Sequence, residues 1–166
     1  MDYKGEDTAT ADAGGSSLPE ASFEGVMAGQ FQIPHSSNTL VEWDTVNREV
    51  GPVDYDSTTG RLEILSGGEG LYQISCSVTF FPNATGDREY QLFIQRSGTD
   101  FDVYPLFLAS TGANFPTVCA GSYTARVQAG SYVYLTANQY SGAAMDLYTA
   151  TPAFRLNYLT VVRLAP

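Results

Sequence analysis

The side chains able to do chemistry are few and scattered along the chain. The one histidine, His35, follows Pro34 in a polar stretch beside Ser36 and Ser37. A lone imidazole cannot build a multi-histidine metal site, and neither serine lies in a nucleophile motif, so His35 reads as a surface residue. Asp54 and Asp56 flank Tyr55, and Asp100 and Asp102 flank Phe101. Calcium takes about six to eight oxygens, and neither stretch follows a calcium-loop pattern, so these acids read as solvated turn carboxylates. Asp44 and Glu49 are the pair that a carbohydrate-cleaving enzyme would need, but nothing in the sequence shows that they meet. Asn83-Ala84-Thr85 has the form of a glycosylation acceptor and reads as a turn. No phosphate loop or dinucleotide fingerprint is present, so the expectation is a non-enzymatic chain without metal or cofactor.

What remains is recognition by surface. Tyr104, Tyr140 and Tyr148 stand near turn signals, where exposed rings would stack on a host surface glycan. Eighteen acids against eight bases give a formal charge of −10, which repels a phosphate backbone and argues against nucleic acid as a partner. No apolar run approaches the roughly 18–20 residues of a membrane helix. The polar, acidic start also lacks the basic end and apolar stretch of a signal peptide, so neither membrane nor export is expected.

The elements that would position these groups are strands. Eleven tyrosines, nine phenylalanines and recurrent Gly and Pro fit short strands joined by turns, and 166 residues suffice for one core. Tyr72, Ile74, Cys76, Val78 and Phe80 alternate with Gln73, Ser75, Ser77 and Thr79, which predicts a strand over 71–80 with one face buried. Cys76 and Cys119 both fall on inward parity and read as buried thiols, with a bridge between them left open. Two further strand pairs, 89–95 with 102–108 and 123–127 with 133–135, read as hairpins around Gly98 and Gly130. In the closing run Phe154, Leu156 and Tyr158 alternate with Leu159 and Val161, so neither face is polar and a second cover is expected.

Residues 1–22 are different. They are rich in Asp, Glu, Ala, Gly, Ser and Thr and offer almost nothing to a core. Ordering such a segment costs about 1–2 kcal/mol per residue, which only a neighbouring surface can offset. The segment therefore reads as an extended docking arm that opens with Asp2, Tyr3, Lys4, Glu6 and Asp7, ahead of a domain at 23–166.

Tyr55-Asp56-Ser57-Thr58-Thr59-Gly60-Arg61-Leu62 followed by Gly70-Leu71-Tyr72-Gln73-Ile74-Ser75 resembles the globular head of the TNF-like/complement-q family. Gln32-Ile33-Pro34 and residues 38–46 are similar to the opening of its bacterial and tailed-phage branch, and Val127 to Leu135 resembles its strand, Ala-Gly turn and strand. The likeness spans about residues 26–166. It implies an all-β jelly-roll β-sandwich of about ten strands, assembled as a homotrimer with aromatic and aliphatic residues along the axis. Tyr134, Leu156 and Tyr158 are the candidates for that axis. The functional expectation is a capsid decoration (cement) protein or head spike on the virion surface of a bacteriophage. The arm would then bind the major capsid protein or another virion protein. A glycan-binding fibre tip and a secreted complement-like ligand are the alternatives.

Overall fold

The computed structural model describes residues 20–97, 100–109, 112, 114–148 and 156–166. The arm residues Asp2, Tyr3, Lys4, Glu6 and Asp7 lie outside them, as does Phe154. Among the described residues thirteen strands follow in order: β1 Ser22–Val26, β2 Gln32–Ile33, β3 Thr39–Leu40, β4 Thr45–Val50, β5 Val53–Asp56, β6 Arg61–Ile64 and β7 Gly70–Phe80. The rest are β8 Asp87–Ser97, β9 Asp100–Ala109, β10 Thr117–Val127, β11 Tyr132–Gln139, β12 Met145–Asp146 and β13 Tyr158–Ala165. Among the described residues no helix is long and apolar enough to cross a membrane.

The strands form two main sheets, one in the order β10-β7-β13-β1-β4 and the other in the order β5-β6-β11-β8-β9, with β3 paired to β11. The alternation read along β7 sets the core: Tyr72, Ile74, Cys76, Val78 and Phe80 are all fully buried. They meet Leu92, Ile94, Val133 and Leu135 of the facing sheet and Phe23, Leu159 and Val161 of their own. Each buried aliphatic or aromatic side chain contributes roughly 1.5–3 kcal/mol relative to exposure, so this shared layer dominates the fold's stability.

Two glycines are fixed by what lies against them. A Cβ on Gly70 would stand 2.3 Å from the Ala165 carbonyl oxygen, so the tight β7–β13 pairing needs glycine there. A Cβ on Gly121 would stand 2.2 Å from the Tyr90 hydroxyl, which shares a 2.8 Å hydrogen bond with the Tyr123 hydroxyl inside the sandwich.

Three expectations are corrected. The strands at 123–127 and 133–135 do not pair with each other: β10 joins β7 in one sheet and β11 joins β8 and β6 in the other. Residues 128–131 arch between the sheets, held by Gly130 N–H to Ile64 O and Ile64 N–H to Ser131 O at 2.7 and 2.9 Å. The pairing of 89–95 with 102–108 is present, but its strands run on to Ser97 and Asp100, which pair with each other. The last strand begins at Tyr158, and it has one inward face, Leu159 and Val161, and one outward face, with Val162 38% and Leu164 53% exposed. Ala21 is buried in the core and Ser22 is buried beside Arg48, whose Nε–H it accepts at 2.6 Å, at the end of the segment read as an arm.

Gly121→Ala should destabilise the protein by about 1–3 kcal/mol through overpacking of the tyrosine pair. Ser122→Ala on the opposite face of the same strand should change stability by less than about 0.5 kcal/mol, with urea denaturation as the measurement.

Candidate functional site: two unlike outer faces

Two packed sheets leave two outer faces, and each carries a different chemistry. On the five-stranded sheet the outward residues are Leu71, Gln73, Ser75, Ser77 and Thr79 from β7, with Ser77 and Thr79 already buried, Tyr158, Thr160, Val162 and Leu164 from β13, and Glu24 and Arg48 from β1 and β4. None of the nine from β7 and β13 is charged. Strand β10 adds Val118, Ala120, Ser122 and Thr124 before its one cation, Arg126. At one end of the face Val50, Val162 and Leu164 are exposed, and at the other Val118 is 46% and Phe81 49% exposed, with Phe81 packed 5.2 Å from Tyr148.

On the six-stranded sheet the outward side chains form a stripe across the strands. Phe101 of β9 meets Phe93 of β8 edge-on at 5.7 Å, and Phe93 stacks on Tyr134 of β11 at 4.9 Å with only 4° between the rings. The guanidinium of Arg61 lies over Tyr134, 4.8 Å from the ring centroid. Burial is the main cause that pushes the Tyr134 phenol above its ordinary pKa, with Arg61 acting the other way. Beyond Arg61 a cleft of about 350 Å³ is lined by Asp54, Asp56, Thr59, Arg61, Glu63 and Tyr132.

The candidate axis residues are thereby separated. Leu156 and Tyr158 belong to the five-stranded side, Leu156 just ahead of the strand, whereas Tyr134 points out from the opposite sheet, so the three cannot share one axis. The tyrosines considered for sugars also part company. Tyr104 sits within β9 on the inward parity, half-buried against Tyr123 at 4.9 Å, and is a packing residue and not a loop aromatic. Tyr148 packs on Phe81, and Tyr140 meets His35 edge-on at 6.5 Å.

The remaining candidate groups are accounted for locally. His35 Nδ1 accepts the Gly142 N–H at 3.1 Å. Asp44 accepts the Ala28 and Gly29 N–H groups, while Glu49 lies five residues along an extended strand, roughly 17 Å away, so the two do not form a pair. The Thr58 hydroxyl, then that of Thr59, hold the Asp56 carboxyl below the usual carboxylate range. Arg96 pairs with Asp102 and lies 3.8 Å from Asp100. Asn83 Oδ1 accepts from the Thr85 N–H and hydroxyl, closing a turn. Among the described residues no three His, Cys, Asp or Glu side chains are grouped to hold a metal.

Sequence reasoning missed Arg88. It is fully buried, donates to the carbonyls of Thr85 and Asp87 at 3.1 and 2.9 Å, and lies 5.9 Å from the Phe80 ring centroid. Burial lowers its pKa, and the loop carbonyls do the work that a carboxylate partner would otherwise do. Nothing in a Gly-Asp-Arg-Glu string signals that cage.

No protein-family profile and no curated protein sequence matches the chain. Its fold is nevertheless familiar. It is similar to murine APRIL at pH 8.0, with a TM-score of 0.66, 13% identity and coverage of 87% of this chain and 99% of that one. It is also similar to Eiger TNF from S. frugiperda, with a TM-score of 0.64, 11% identity and coverage of 89% and 94%. The chain is a TNF-like jelly roll. At such identities the likeness speaks of the fold alone, so within the jelly roll the function has to be argued from its faces.

Both thiols are free and buried. Burial is the main cause that pushes Cys76 up to about 11 and Cys119 up to about 12. The folded jelly roll should therefore resist thiol reagents at pH 8 and react at both cysteines once unfolded. Since an exposed thiol loses its proton near pH 8.5, the unfolded state binds fewer protons above about that pH, and stability should fall as pH rises toward 12. A fast native reaction at pH 8 would contradict this burial.

Proposed function

We propose that the jelly roll is a non-enzymatic binding module that assembles as a homotrimer through the outer face of the five-stranded sheet. The observation that carries this reading is the chemistry of that face. Across β7 and β13 it has no charged side chain, in a chain where 16% of residues are charged. Its ends are aliphatic and aromatic, at Val50, Val162 and Leu164 and at Val118 and Phe81. Charge depletion around an apolar patch is what distinguishes the buried centre of an interface from ordinary surface. A closed ring of three copies would cover this face on every copy without leaving an open end.

The finer reading is attachment to a virion as a capsid decoration protein or head spike. It rests on the resemblance of residues 32–34 and 38–46 to the bacterial and tailed-phage branch, and on the polar composition of residues 1–22. Three arms on one trimer would bind a particle with the gain that multivalency brings. The rival reading, an extracellular ligand, is favoured by the likeness in fold to APRIL and Eiger TNF.

Val162→Asp places a carboxylate in the proposed interface, and light scattering should then find monomers in place of trimers while circular dichroism keeps its β spectrum. Removing residues 1–19, which stops short of the buried Ala21 and Ser22, should leave the trimer intact and abolish its co-sedimentation with capsids of the particle that carries it. Retained co-sedimentation without the arm would exclude the docking role. Capture by a cell-surface receptor, with no particle binding by the full chain, would select the ligand reading.

A further inference from the structure

The six-stranded sheet turns its aromatic stripe away from the face assigned to assembly, so on each copy it stays free for something else. We propose that this stripe and its acidic cleft dock a basic, extended segment of a partner protein. The geometry supplies both halves of such a site. At one edge Phe101 is 46% exposed and continues into Phe93 and Tyr134, which gives an apolar track. At the other edge Asp54 stands opposite Glu63 on the neighbouring strand, inside the 350 Å³ cleft. Among the described residues neither Asp54, Asp56 nor Glu63 takes part in an ion pair, since those present are Arg48 with Glu20 and Arg96 with Asp100 and Asp102. Arg61, the cation nearest to them, is committed to the Tyr134 ring.

The chemistry of the occupant follows. Phe93 and Tyr134 cover each other's ring faces, so the stripe offers ring edges and not the open plate on which a sugar ring stacks. The three carboxylates are not gathered into a metal-binding group. A lysine or arginine fits both features, with its methylene stem along the ring edges and its charge among Asp54 and Glu63. From β9 to β5 the stripe crosses four strand spacings, roughly 19 Å, which about six extended residues span. The segment recognised is thus a basic pair followed, some four residues on, by an apolar side chain that packs against Phe101. A body charge of −10 steers such a segment inward.

The test uses the full chain and a fluorescent heptapeptide, Arg-Arg-Gly-Ser-Gly-Leu-Phe, with its reversed sequence and an all-glutamate peptide as comparisons. The doubly substituted Asp54→Asn/Glu63→Gln protein should bind the peptide about fivefold or more weakly by fluorescence anisotropy. Phe101→Ser should weaken it to a similar degree and remove the preference over the reversed sequence. Glu69→Gln/Asp146→Asn changes net charge by the same two units outside the residues that line the cleft and should leave binding within about twofold. Equal weakening by the two double variants would overturn the proposal, as would the absence of wild-type binding at millimolar peptide. Circular dichroism on each variant checks that the sandwich is intact. Val162→Asp monomers should bind the peptide as the wild type does per site, so failure of the trimer reading and failure of this one are separable.

Discussion

The constraint on which the rest depends is the period of two along β7, which lies between β10 and β13 in the five-stranded sheet. Its inward residues are buried without exception, and the facing sheet fits against them. A strand so placed cannot slip by one residue without exchanging its apolar set for Gln73, Ser75, Ser77 and Thr79. Fixing that register fixes the register of every strand paired with it. It also decides which side chains are left outside.

In the proposed reading those outer sets carry the function. On β7 and β13 one sheet presents uncharged residues bordered by aliphatic and aromatic ones, with Glu24, Arg48 and Arg126 on the strands beside them; the other presents an aromatic track ending in acids. A lone sandwich would leave both wet, at a cost in solubility on the apolar side. The proposed assembly through one face and recognition through the other would be a division of labour that needs no catalytic residue. The polar groups that might have been read as catalytic are occupied in turns, as with Asp56 and Asn83, or in tying loops down, as with Asp44 and Arg88.

Much of the fold was legible because strand parity is local. The alternation over residues 71–80 named the core face of β7, and the Tyr55 to Tyr72 signature proves to be packing and turn chemistry. Tyr55 lies 4.9 Å from Phe23 and accepts the Trp43 N–H at 2.7 Å, and Leu62 and Tyr72 are fully buried. What parity cannot tell is which sheet a strand joins. The Ala129-Gly130 turn has the same residues whether it closes a hairpin or arches between sheets, so the 123–135 pairing was misread. For the same reason Tyr134 was grouped with Tyr158 although they face opposite ways. The cage around Arg88 and the stripe from Phe101 to Arg61 are built from residues far apart in sequence, and no local pattern announces them.

Hydroxyl-radical footprinting of the assembled protein tests the division between the two faces most directly. The account predicts that Val118, Val162 and Leu164 are shielded far beyond their exposure in the single chain, while Phe101 is oxidised readily. Oxidation of Leu164 at a rate fitting its 53% exposure, with Phe101 shielded instead, would show that assembly uses the other sheet and would contradict the account.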